Sequence, residues 1–256
     1  MNLYFNRSLI ANYKSSAQIA RVLTENWVKT NCYCPKCGNP TLENYSNNKP
    51  VADFYCDKCK EDYELKSKSG KLGNKIIDGA YSKMIERIEC NNNPNFFFLD
   101  YNRQELSVKN FIIIPKQLFI PQIIEKRKPL SLNAKRAGWV GCNIDVSRLP
   151  EIGKVYIVKD SNVVTKDKVI SDFNKTLPLN NKSLKEKGWT MSILRCVDKI
   201  KSNSFSLNDI YAFENELKVL YPNNNFIRDK IRQQLQVLRD MGVIEFKAKG
   251  NYIKVL

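Results

Sequence analysis

The sequence contains no histidine in its 256 residues. This absence excludes a Ser–His–Asp triad, a Cys–His protease, every zinc site with histidine ligands, and any nuclease that relies on a histidine general base. If the protein is an enzyme, its chemistry must be carried by carboxylates, lysine, cysteine or a metal ion.

Long hydrophobic runs are also missing. The most apolar stretches, 96–99 (FFFL) and 111–114 (FIII), have the length of a strand and are far too short to span a bilayer. The N-terminal segment MNLYFNRSLIANYK has neither the basic start nor the apolar centre of a secretory signal. Hydrophobic residues still make up 43% of the chain, enough to form a core. We therefore expect a folded cytoplasmic protein without a membrane partner.

Acidic residues are few compared with basic ones. The chain has 26 Asp and Glu against 42 Lys and Arg, which gives a formal net charge of +16. Such a surplus favours polyanionic partners, because contacts with phosphates release condensed counterions. A basic surface would also suit an anionic membrane, but no long amphipathic basic helix stands out. The charge balance therefore favours nucleic acid as the partner.

Apolar periodicity predicts an α/β core with a mixed sheet in residues 1–180. A stretch over 121–141 is irregular and basic, and 176–183 (TLPLNNKS) is a candidate linker to a second domain over 181–256. The predicted elements of the core are a helix over 8–30, strands over 51–56 and 61–68, a helix over 75–90, and strands over 96–101, 108–114 and 155–159.

Four of the eight cysteines follow the pattern C-x2-C-x18-C-x2-C. Two such C-x-x-C pairs at this separation are typical of a structural zinc site with four thiolate ligands. Disulfides are disfavoured in a cytosolic chain, and a redox C-x-x-C would not need a second copy. Cys32 lies next to the first pair, and Cys90, Cys142 and Cys196 are expected to be small core residues. The proposed zinc ligands are Cys34, Cys37, Cys56 and Cys59.

A second pattern combines PVAD at 50–53 with ELK at 64–66. Residues two apart in a strand share a face, so Glu64 and Lys66 project together, and a paired neighbouring strand would add Asp53. Asp53 and Glu64 would hold Mg²⁺, and Lys66 would orient a water nucleophile and offset charge on a phosphate. The pattern alone is weak, because an exposed hairpin with alternating charges looks the same. The basic charge and the absence of histidine favour the catalytic interpretation.

Residues 185–256 have the element order of a winged helix. Helices are predicted near 186–200, from an N-cap at Ser206 through Leu217, and near 224–240, followed by a hairpin around Gly250. The last helix would enter the major groove, where Arg reads guanine and Gln reads adenine. The alternative is an α+β dimerisation module with a solvated face. The candidate DNA-reading residues of this helix are Arg228, Arg232, Gln233 and Gln236.

Several long segments resemble the DpnI family of methyl-directed restriction endonucleases. They run essentially from end to end: YCPKCGNP (33–40), PVADFYCDKC (50–59), ELKSK (64–68), NNPNFFFL (92–99), RAGWVGCNID (136–145) and KIRQQLQVLRD (230–240). The resemblance implies a PD-(D/E)xK nuclease domain with a zinc site, followed by a winged-helix domain. It implies Mg²⁺-dependent cleavage of double-stranded DNA at GATC sites carrying N6-methyladenine.

The family's catalytic positions fall on Asp53, Glu64 and Lys66, and its zinc ligands on the four cysteines of the C-x-x-C pairs. Ala52 stands where the family motif has a proline, a residue without a chemical role. The resemblance also implies that Trp139, with Arg136 close by, contacts DNA, although a packing role is the simpler interpretation from sequence. The chain would act as a monomer or as a transient dimer on DNA.

Two rival interpretations stay open. One is a regulator that binds methylated DNA without cleaving it, although such a protein would be expected to have lost part of the Asp53, Glu64 and Lys66 set. The other is a nuclease with a different modified-base specificity. Comparing digestion of methylated, hemimethylated and unmethylated plasmid separates the three.

Overall fold

The computed structural model describes residues 1–45 and 52–255. The beginning of the PVAD segment and of the strand predicted over 51–56 lies outside the described residues. Within those ranges the strands are β1 (Glu43–Asn44), β2 (Phe54–Tyr55), β3 (Asp62–Ser69), β4 (Lys75–Ala80), β5 (Asn95–Asn102), β6 (Ser107–Ile114), β7 (Ile124–Lys126), β8 (Gly141–Asp145), β9 (Val155–Lys159), β10 (Asn162–Val163), β11 (Ser204–Ser206), β12 (Ile244–Ala248) and β13 (Asn251–Lys254).

The helices of the described residues alternate with these strands in the first part of the chain and gather in the last part. None of them combines the length and the apolarity needed to cross a bilayer. The α-helices are α1 (Ser16–Asn31), α2 (Tyr81–Glu89), α3 (Lys166–Asn174), α4 (Leu184–Lys199), α5 (Leu207–Tyr211), α6 (Glu214–Leu220) and α7 (Ile227–Asp240). Short 3-10 turns lie at Arg7–Ile10, Lys116–Leu118, Pro121–Ile123, Val146–Arg148, Glu151–Gly153 and Leu177–Leu179.

The main sheet has the strand order β1-β2-β3-β5-β6-β9-β10. β3 and β5 run parallel, with β4 and α2 in the connection between them, and the other neighbours are antiparallel. The predicted mixed α/β core is therefore confirmed. Because β5 lies inside the sheet and both of its faces are covered, its side chains from Asn95 to Tyr101 are all buried. This double burial explains the continuous apolar run at 96–99.

The two faces of β5 belong to two different hydrophobic clusters. Phe97 and Leu99 pack with α1 and α3, in a cluster that also holds Trp27 and Phe173. Phe96 and Phe98 face the opposite way, toward α2, the second sheet and the C-terminal helices. The parallel register pairs Glu64 with Phe96 and Lys66 with Phe98. The Glu64 and Lys66 side chains therefore lie on the face that also carries α2 and the second sheet.

The second sheet has the order β4-β8-β7 and corrects the prediction of one helix over 75–90. Residues 75–80 form β4, and the helix begins only at Tyr81. Ile76 is buried while Ile77 is 66% exposed, which is the alternation of a strand. Adjacent β-branched residues and Gly79 disfavour a helix here, and pairing with β8 supplies the backbone partners.

Two further predictions are corrected near the N-terminus and around 121–141. The helix predicted over 8–30 is interrupted after the 3-10 turn Arg7–Ile10 and resumes at Ser16. The stretch 121–141 was predicted to be irregular, but it contains β7, which pairs antiparallel with β8 at the end of the stretch. Strand β8 was not predicted, because GCNID offers few of the β-branched and aromatic residues that identify strands.

The C-terminal region folds as a helix-turn-helix unit with a β-hairpin wing, as predicted. Ser206 caps α5, and its capping box with Asp209 is present. The helix predicted from Ser206 through Leu217 is two helices, since α5 ends at Tyr211 and α6 starts at Glu214. The predicted hairpin is confirmed as β12 and β13, and β11 adds a third strand to it.

The segment 176–183 is folded, although it was predicted to be a linker. Thr176 and Leu179 are completely buried, and Gln117 of the core donates a hydrogen bond to the Thr176 hydroxyl. The C-terminal helices continue the hydrophobic cluster that contains Phe96 and Phe98. The Asp198 carboxylate of α4 accepts a hydrogen bond from the Glu151 backbone N–H at 2.9 Å. The helix-turn-helix unit is thus packed directly onto the α/β core.

Candidate active site, metal centre and nucleic-acid interface

Strands β2 and β3 bring Asp53 next to the ELK segment. The antiparallel pairing aligns Phe54 with Tyr63, so one step further along the register Asp53 lies opposite Glu64. The Asp53 N–H donates to the Tyr63 carbonyl at 2.9 Å. The Asp53 Oδ2 accepts a hydrogen bond from the Leu65 N–H at 2.7 Å. The carboxylate of Asp53 is therefore fixed to the backbone between Glu64 and Lys66.

Lys66 joins two carboxylates that come from different sheets. Its Nζ lies 2.6 Å from Glu64 Oε1 on the same strand and 2.6 Å from Asp78 Oδ1 on β4. Arg87 of α2 reaches the other oxygen of Glu64 at 3.4 Å. The Asp78 side chain is only 6% exposed and that of Glu64 17%. Two acids and two bases thus balance their charges in a mostly buried cluster.

Burial and neighbouring charges shift the protonation equilibria of this cluster. Burial raises the pKa of Glu64, the charge of Asp78 adds to that rise, and Lys66 and Arg87 oppose it. Burial alone would lower the pKa of Lys66, but the two carboxylates outweigh it and hold that pKa above its ordinary value. Lys66 is therefore a protonated hydrogen-bond donor at neutral pH and not a proton acceptor.

The sequence analysis missed Asp78 and Arg87. Arg87 lies on a helix that was predicted, but nothing in the sequence placed that helix over β3. Asp78 was assigned to the same helix, which hid its position. If residues 75–80 had been predicted to form a strand, the alternation of its side chains would have put Ile76 and Asp78 on the same inward face. This alternation is the signal in the sequence that could have identified Asp78 as part of the site.

The four cysteines of the two C-x-x-C pairs converge on one point. Their sulfur atoms all lie within 4.8 Å of one another, with Cys34 Sγ 3.5 Å from Cys59 Sγ and Cys37 Sγ 3.6 Å from Cys56 Sγ. Tetrahedral zinc with Zn–S bonds of about 2.3 Å requires sulfurs roughly 3.8 Å apart. The cluster therefore fits a metal ion with four thiolate ligands.

The two cysteine loops have matching backbone geometry. In the first, Gly38 has a φ of +73° and its N–H donates to the Cys34 carbonyl at 2.8 Å; in the second, Lys60 has a φ of +59° and donates to Cys56 at 2.9 Å. The first cysteine of each loop also receives support, because its N–H donates to the residue five positions later. Two copies of one turn thus present their thiols toward a shared centre.

The remaining cysteines stand apart from this cluster. Cys32 is buried, and its thiol donates to the neighbouring Tyr33 carbonyl at 3.2 Å. Cys142 and Cys196 are buried core residues as predicted. Cys90 is exposed, so its assignment to the core was wrong. It follows α2 as the C-terminal cap residue, where the chain turns away from the core.

A buried carboxylate ties the cysteine loops to the sheet. Glu61 is 6% exposed and pairs with Lys36 of the first loop at 2.6 Å and with Lys116 at 2.9 Å. Asn95 of β5 donates to it at 3.0 Å. Burial alone would raise the pKa of Glu61, but the hydrogen bonds from Lys116 and Lys36 hold it below its ordinary value. These contacts therefore connect the cysteine loops to the start of β3 and to β5.

Helix α7 separates a buried stripe from a polar face. Ile227, Ile231, Leu235 and Leu238 are buried. The four predicted DNA-reading residues are exposed on the other side. Three of them contact other side chains of the C-terminal region. Arg228 pairs with Glu214 at 2.7 Å, and Gln233 accepts a hydrogen bond from Lys230 at 2.6 Å. Arg232 pairs with Asp229. Gln236 is exposed on the same face. The four residues therefore share an exposed polar face of α7.

Trp139 and Arg136 lie together in the basic loop that connects β7 to β8. The guanidinium of Arg136 stacks over the Trp139 ring with 4.6 Å between them. A Cβ atom at Gly141 would come within 2.8 Å of the same ring, so the ring packs closely against Gly141. Trp139 is half-buried, which agrees with the packing role and leaves part of the ring accessible.

These features define a two-part protein in which an α/β core with a carboxylate–lysine site and a four-cysteine centre is followed by a DNA-binding helix-turn-helix unit. A family model described as DpnI, the Dam-replacing family, matches residues 1–182, and one described as the Dam-replacing HTH domain matches residues 185–254. The chain therefore belongs to the DpnI, or Dam-replacing, family. Membership makes it a restriction endonuclease with a DNA-binding C-terminal region, as the resemblance implied.

The charge balance around Lys66 predicts how a Lys66→Met variant responds to pH. Removing one partner of a buried ion pair costs about 3 kcal/mol or more, because Glu64 and Asp78 then face each other without the ammonium. We expect this loss of unfolding free energy near pH 8 in urea titrations with EDTA. The penalty shrinks toward pH 5, where one carboxylate binds a proton in the folded state and the repulsion disappears.

The control for this prediction is the double variant Lys66→Met with Asp78→Asn, which removes one of the two facing carboxylates. It should recover part of the lost stability at pH 8 and show a flatter pH dependence than Lys66→Met alone. A stability difference between wild type and Lys66→Met that stays constant from pH 5 to pH 8 would contradict the proposed charge balance.

Proposed function

We propose that this protein is a Mg²⁺-dependent type II restriction endonuclease that hydrolyses double-stranded DNA at GATC sites carrying N6-methyladenine. The observation that carries the proposal is the arrangement of Asp53, Glu64 and Lys66 on adjacent strands, with Lys66 Nζ 2.6 Å from Glu64, in a chain that belongs to the DpnI family. Asp53, Glu64 and Lys66 are the proposed catalytic residues.

The donor set at Asp53 and Glu64 suits Mg²⁺, which prefers hard carboxylate oxygens. Asp53 commits one oxygen to the Leu65 N–H, an anchor that orients the carboxylate. The two oxygens of Glu64 pair with Lys66 and Arg87, and these two bases neutralise its charge in the absence of a metal ion. Asp53 and Glu64 would therefore hold the ion, which when bound supplies charge that polarises a phosphodiester and makes water a better nucleophile.

Lys66 acts in this proposal through its charge and its hydrogen-bond donors. Glu64 and Asp78 raise the pKa of Lys66, so in this arrangement the side chain is an ammonium that donates hydrogen bonds. Its ammonium orients the attacking water and stabilises the negative charge that builds on the phosphate. Asp78, buried on the opposing sheet and 2.6 Å away, positions that ammonium without touching the substrate itself.

DNA would be held by both parts of the chain. The family matches meet between residues 182 and 185, and we place the boundary between residues 180 and 181, with the nuclease domain before it. In the C-terminal domain the exposed face of α7 would read the major groove through Arg228, Arg232, Gln233 and Gln236. In the nuclease domain Arg136 and Trp139 would contact the target, since the ring is partly accessible beside a cation.

The four-cysteine centre would hold structural Zn²⁺, because four thiolates suit this ion and leave no open coordination position. Its role follows from its place in the chain. The second C-x-x-C pair connects β2, which follows Asp53, to β3, which carries Glu64 and Lys66. A metal at this centre would fix the connection between the two strands that hold the catalytic residues.

The first test is digestion of one plasmid prepared with and without adenine methylation at GATC, in Mg²⁺ and in EDTA. We expect cutting only of the methylated plasmid in Mg²⁺.

Replacing Lys66 with Ala should lower the rate by about 10²-fold or more, because one electrostatic donor is lost, while binding of methylated DNA is kept. Lys68→Ala is the matched control on the exposed end of the same strand and should cut within a few-fold of wild type.

Other outcomes of this digestion discriminate the rivals. Equal cutting of both plasmids would contradict methyl direction. Binding without cutting under any condition would support a non-cleaving regulator, and full activity of Lys66→Ala would contradict the catalytic assignment.

Metal content and thermal stability test the zinc centre. We expect about one equivalent of zinc in the purified protein, lost in Cys37→Ser, with a midpoint of thermal unfolding lower by about 10 °C or more, because ligation and folding are coupled. Cys90→Ser is the control, since Cys90 is exposed and outside the cluster; it should keep both the zinc and the midpoint. Retention of the midpoint after verified zinc loss would contradict a structural role.

A further inference from the structure

Both carboxylate oxygens of Glu64 contact a basic side chain. Oε1 lies 2.6 Å from Lys66 Nζ, and Oε2 accepts a hydrogen bond from Arg87 Nη1 at 3.4 Å. Glu64 is also one of the two residues proposed to hold the catalytic cation. Positive charges that are close together in a mostly buried site repel one another strongly. Binding of a divalent cation by Glu64 is therefore favoured when one of the two basic side chains moves away from it.

The two contacts with Glu64 differ in strength. Lys66 Nζ lies 2.6 Å from Glu64 and also 2.6 Å from Asp78, so two short ion pairs hold it. Arg87 contacts Glu64 at 3.4 Å, whereas strong charge-assisted hydrogen bonds are about 2.8 Å long. A guanidinium does not lose its proton in a protein, so Arg87 can relieve repulsion of a nearby cation only by moving. Arg87 is therefore the side chain that leaves Glu64 more easily.

The charges of the cluster favour the same movement. With Arg87 in place, the three carboxylates of Asp53, Glu64 and Asp78 face two basic side chains. When Arg87 moves away, the three carboxylates face Lys66 alone. The two negative charges that are then in excess match the charge of a divalent cation, and opposite charges attract most strongly where water is largely excluded.

The position of Arg87 on α2 lets the side chain move while the backbone stays in place. Met84 and Ile88 of the same helix are buried and anchor it. The Arg87 side chain itself is 22% exposed, so a group in solution can reach it. Its planar set of N–H donors suits two oxygens of a phosphate. Because Arg87 already contacts Glu64, a phosphate that lies over Asp53 and Glu64 would be within its reach.

We propose that Arg87 is the counter-ion that Glu64 exchanges for the catalytic cation, and that the released guanidinium binds the phosphate to be cleaved. The inference rests on the proposed Mg²⁺-dependent cleavage and adds to it a residue that links cation binding to substrate binding. Before the exchange, Arg87 offsets the repulsion between Glu64 and Asp78. After the exchange, its charge stabilises the phosphate and no longer opposes the cation.

The first measurement is the affinity of the full-length protein for Mn²⁺ alone, without DNA, by isothermal titration calorimetry at pH 8. For Arg87→Gln we expect binding to be tighter by about tenfold or more, because a positive charge beside the site is removed. Arg87→Lys keeps the charge and should stay within a few-fold of wild type. Lys83→Gln is the matched control, since Lys83 lies one turn earlier on α2 with its side chain 72% exposed. It should keep the wild-type affinity.

The second measurement is single-turnover cleavage of a methylated GATC duplex at saturating Mg²⁺. We expect the maximal rate of Arg87→Gln to fall by about 10²-fold or more, since an electrostatic contact with the phosphate is lost. Arg87→Lys should recover part of this rate, and Lys83→Gln should match wild type. Arg87→Gln should thus bind the cation more tightly and cleave more slowly. A merely structural role of Arg87 would weaken both.

The outcomes separate this inference from the function on which it rests. Unchanged or weaker Mn²⁺ binding by Arg87→Gln would overturn the exchange of counter-ions, whatever the effect on cleavage. Tighter Mn²⁺ binding with an unchanged maximal rate would overturn the contact with the phosphate. If wild type cuts no duplex, the proposed function fails and the phosphate contact fails with it, while the Mn²⁺ affinities still decide whether Arg87 competes with the cation for Glu64.

Discussion

The pairing of β2 with β3 is the constraint on which the rest of the site depends. Side chains alternate across a strand, so a slip of one residue would turn Glu64 and Lys66 to the other face of the sheet. The β3–β5 register opposes that slip, because it aligns Tyr63 and Leu65 with the face of Phe97 and leaves Glu64 and Lys66 on the face of Phe96 and Phe98. The cysteine loops hold the same register from outside, through the short connection between β2 and β3.

The cluster around Lys66 shows how the charged groups of the proposed active site can be mostly buried without a prohibitive electrostatic cost. Glu64 and Asp78 would repel each other in a mostly buried site, but Lys66 lies between them and Arg87 pairs with the free side of Glu64. The free energy lost when charges are removed from water is recovered only when the buried charges are well paired. The same pairing keeps Lys66 protonated, which suits a group that stabilises negative charge on a phosphate.

Much of the architecture could be predicted because its signals are local. The cysteine spacing, the apolar run of β5, the Ser206 cap and the amphipathic α7 each depend on a few neighbouring residues. The pattern proposed to be catalytic was also visible, since Glu64 and Lys66 are two apart on one strand. Contacts between residues that are distant in the sequence could not be predicted in the same way. Asp78 reaches Lys66 only because β4 pairs with β8, and the incorrect prediction of a helix over 75–90 concealed this contact. The folded state of 176–183 likewise depends on burial of Thr176 and Leu179 against distant elements, which polar linker-like residues do not reveal.

The central claim is that Asp53 and Glu64 together hold the catalytic cation. Anomalous diffraction from crystals of the full-length protein grown with Mn²⁺, a spectroscopically visible substitute for Mg²⁺, tests it most directly. The account predicts an anomalous peak in contact with both carboxylates, and its loss in crystals of Glu64→Gln that keep the same fold. A peak that is bound elsewhere in the α/β core, or one that persists unchanged in Glu64→Gln, would contradict the account.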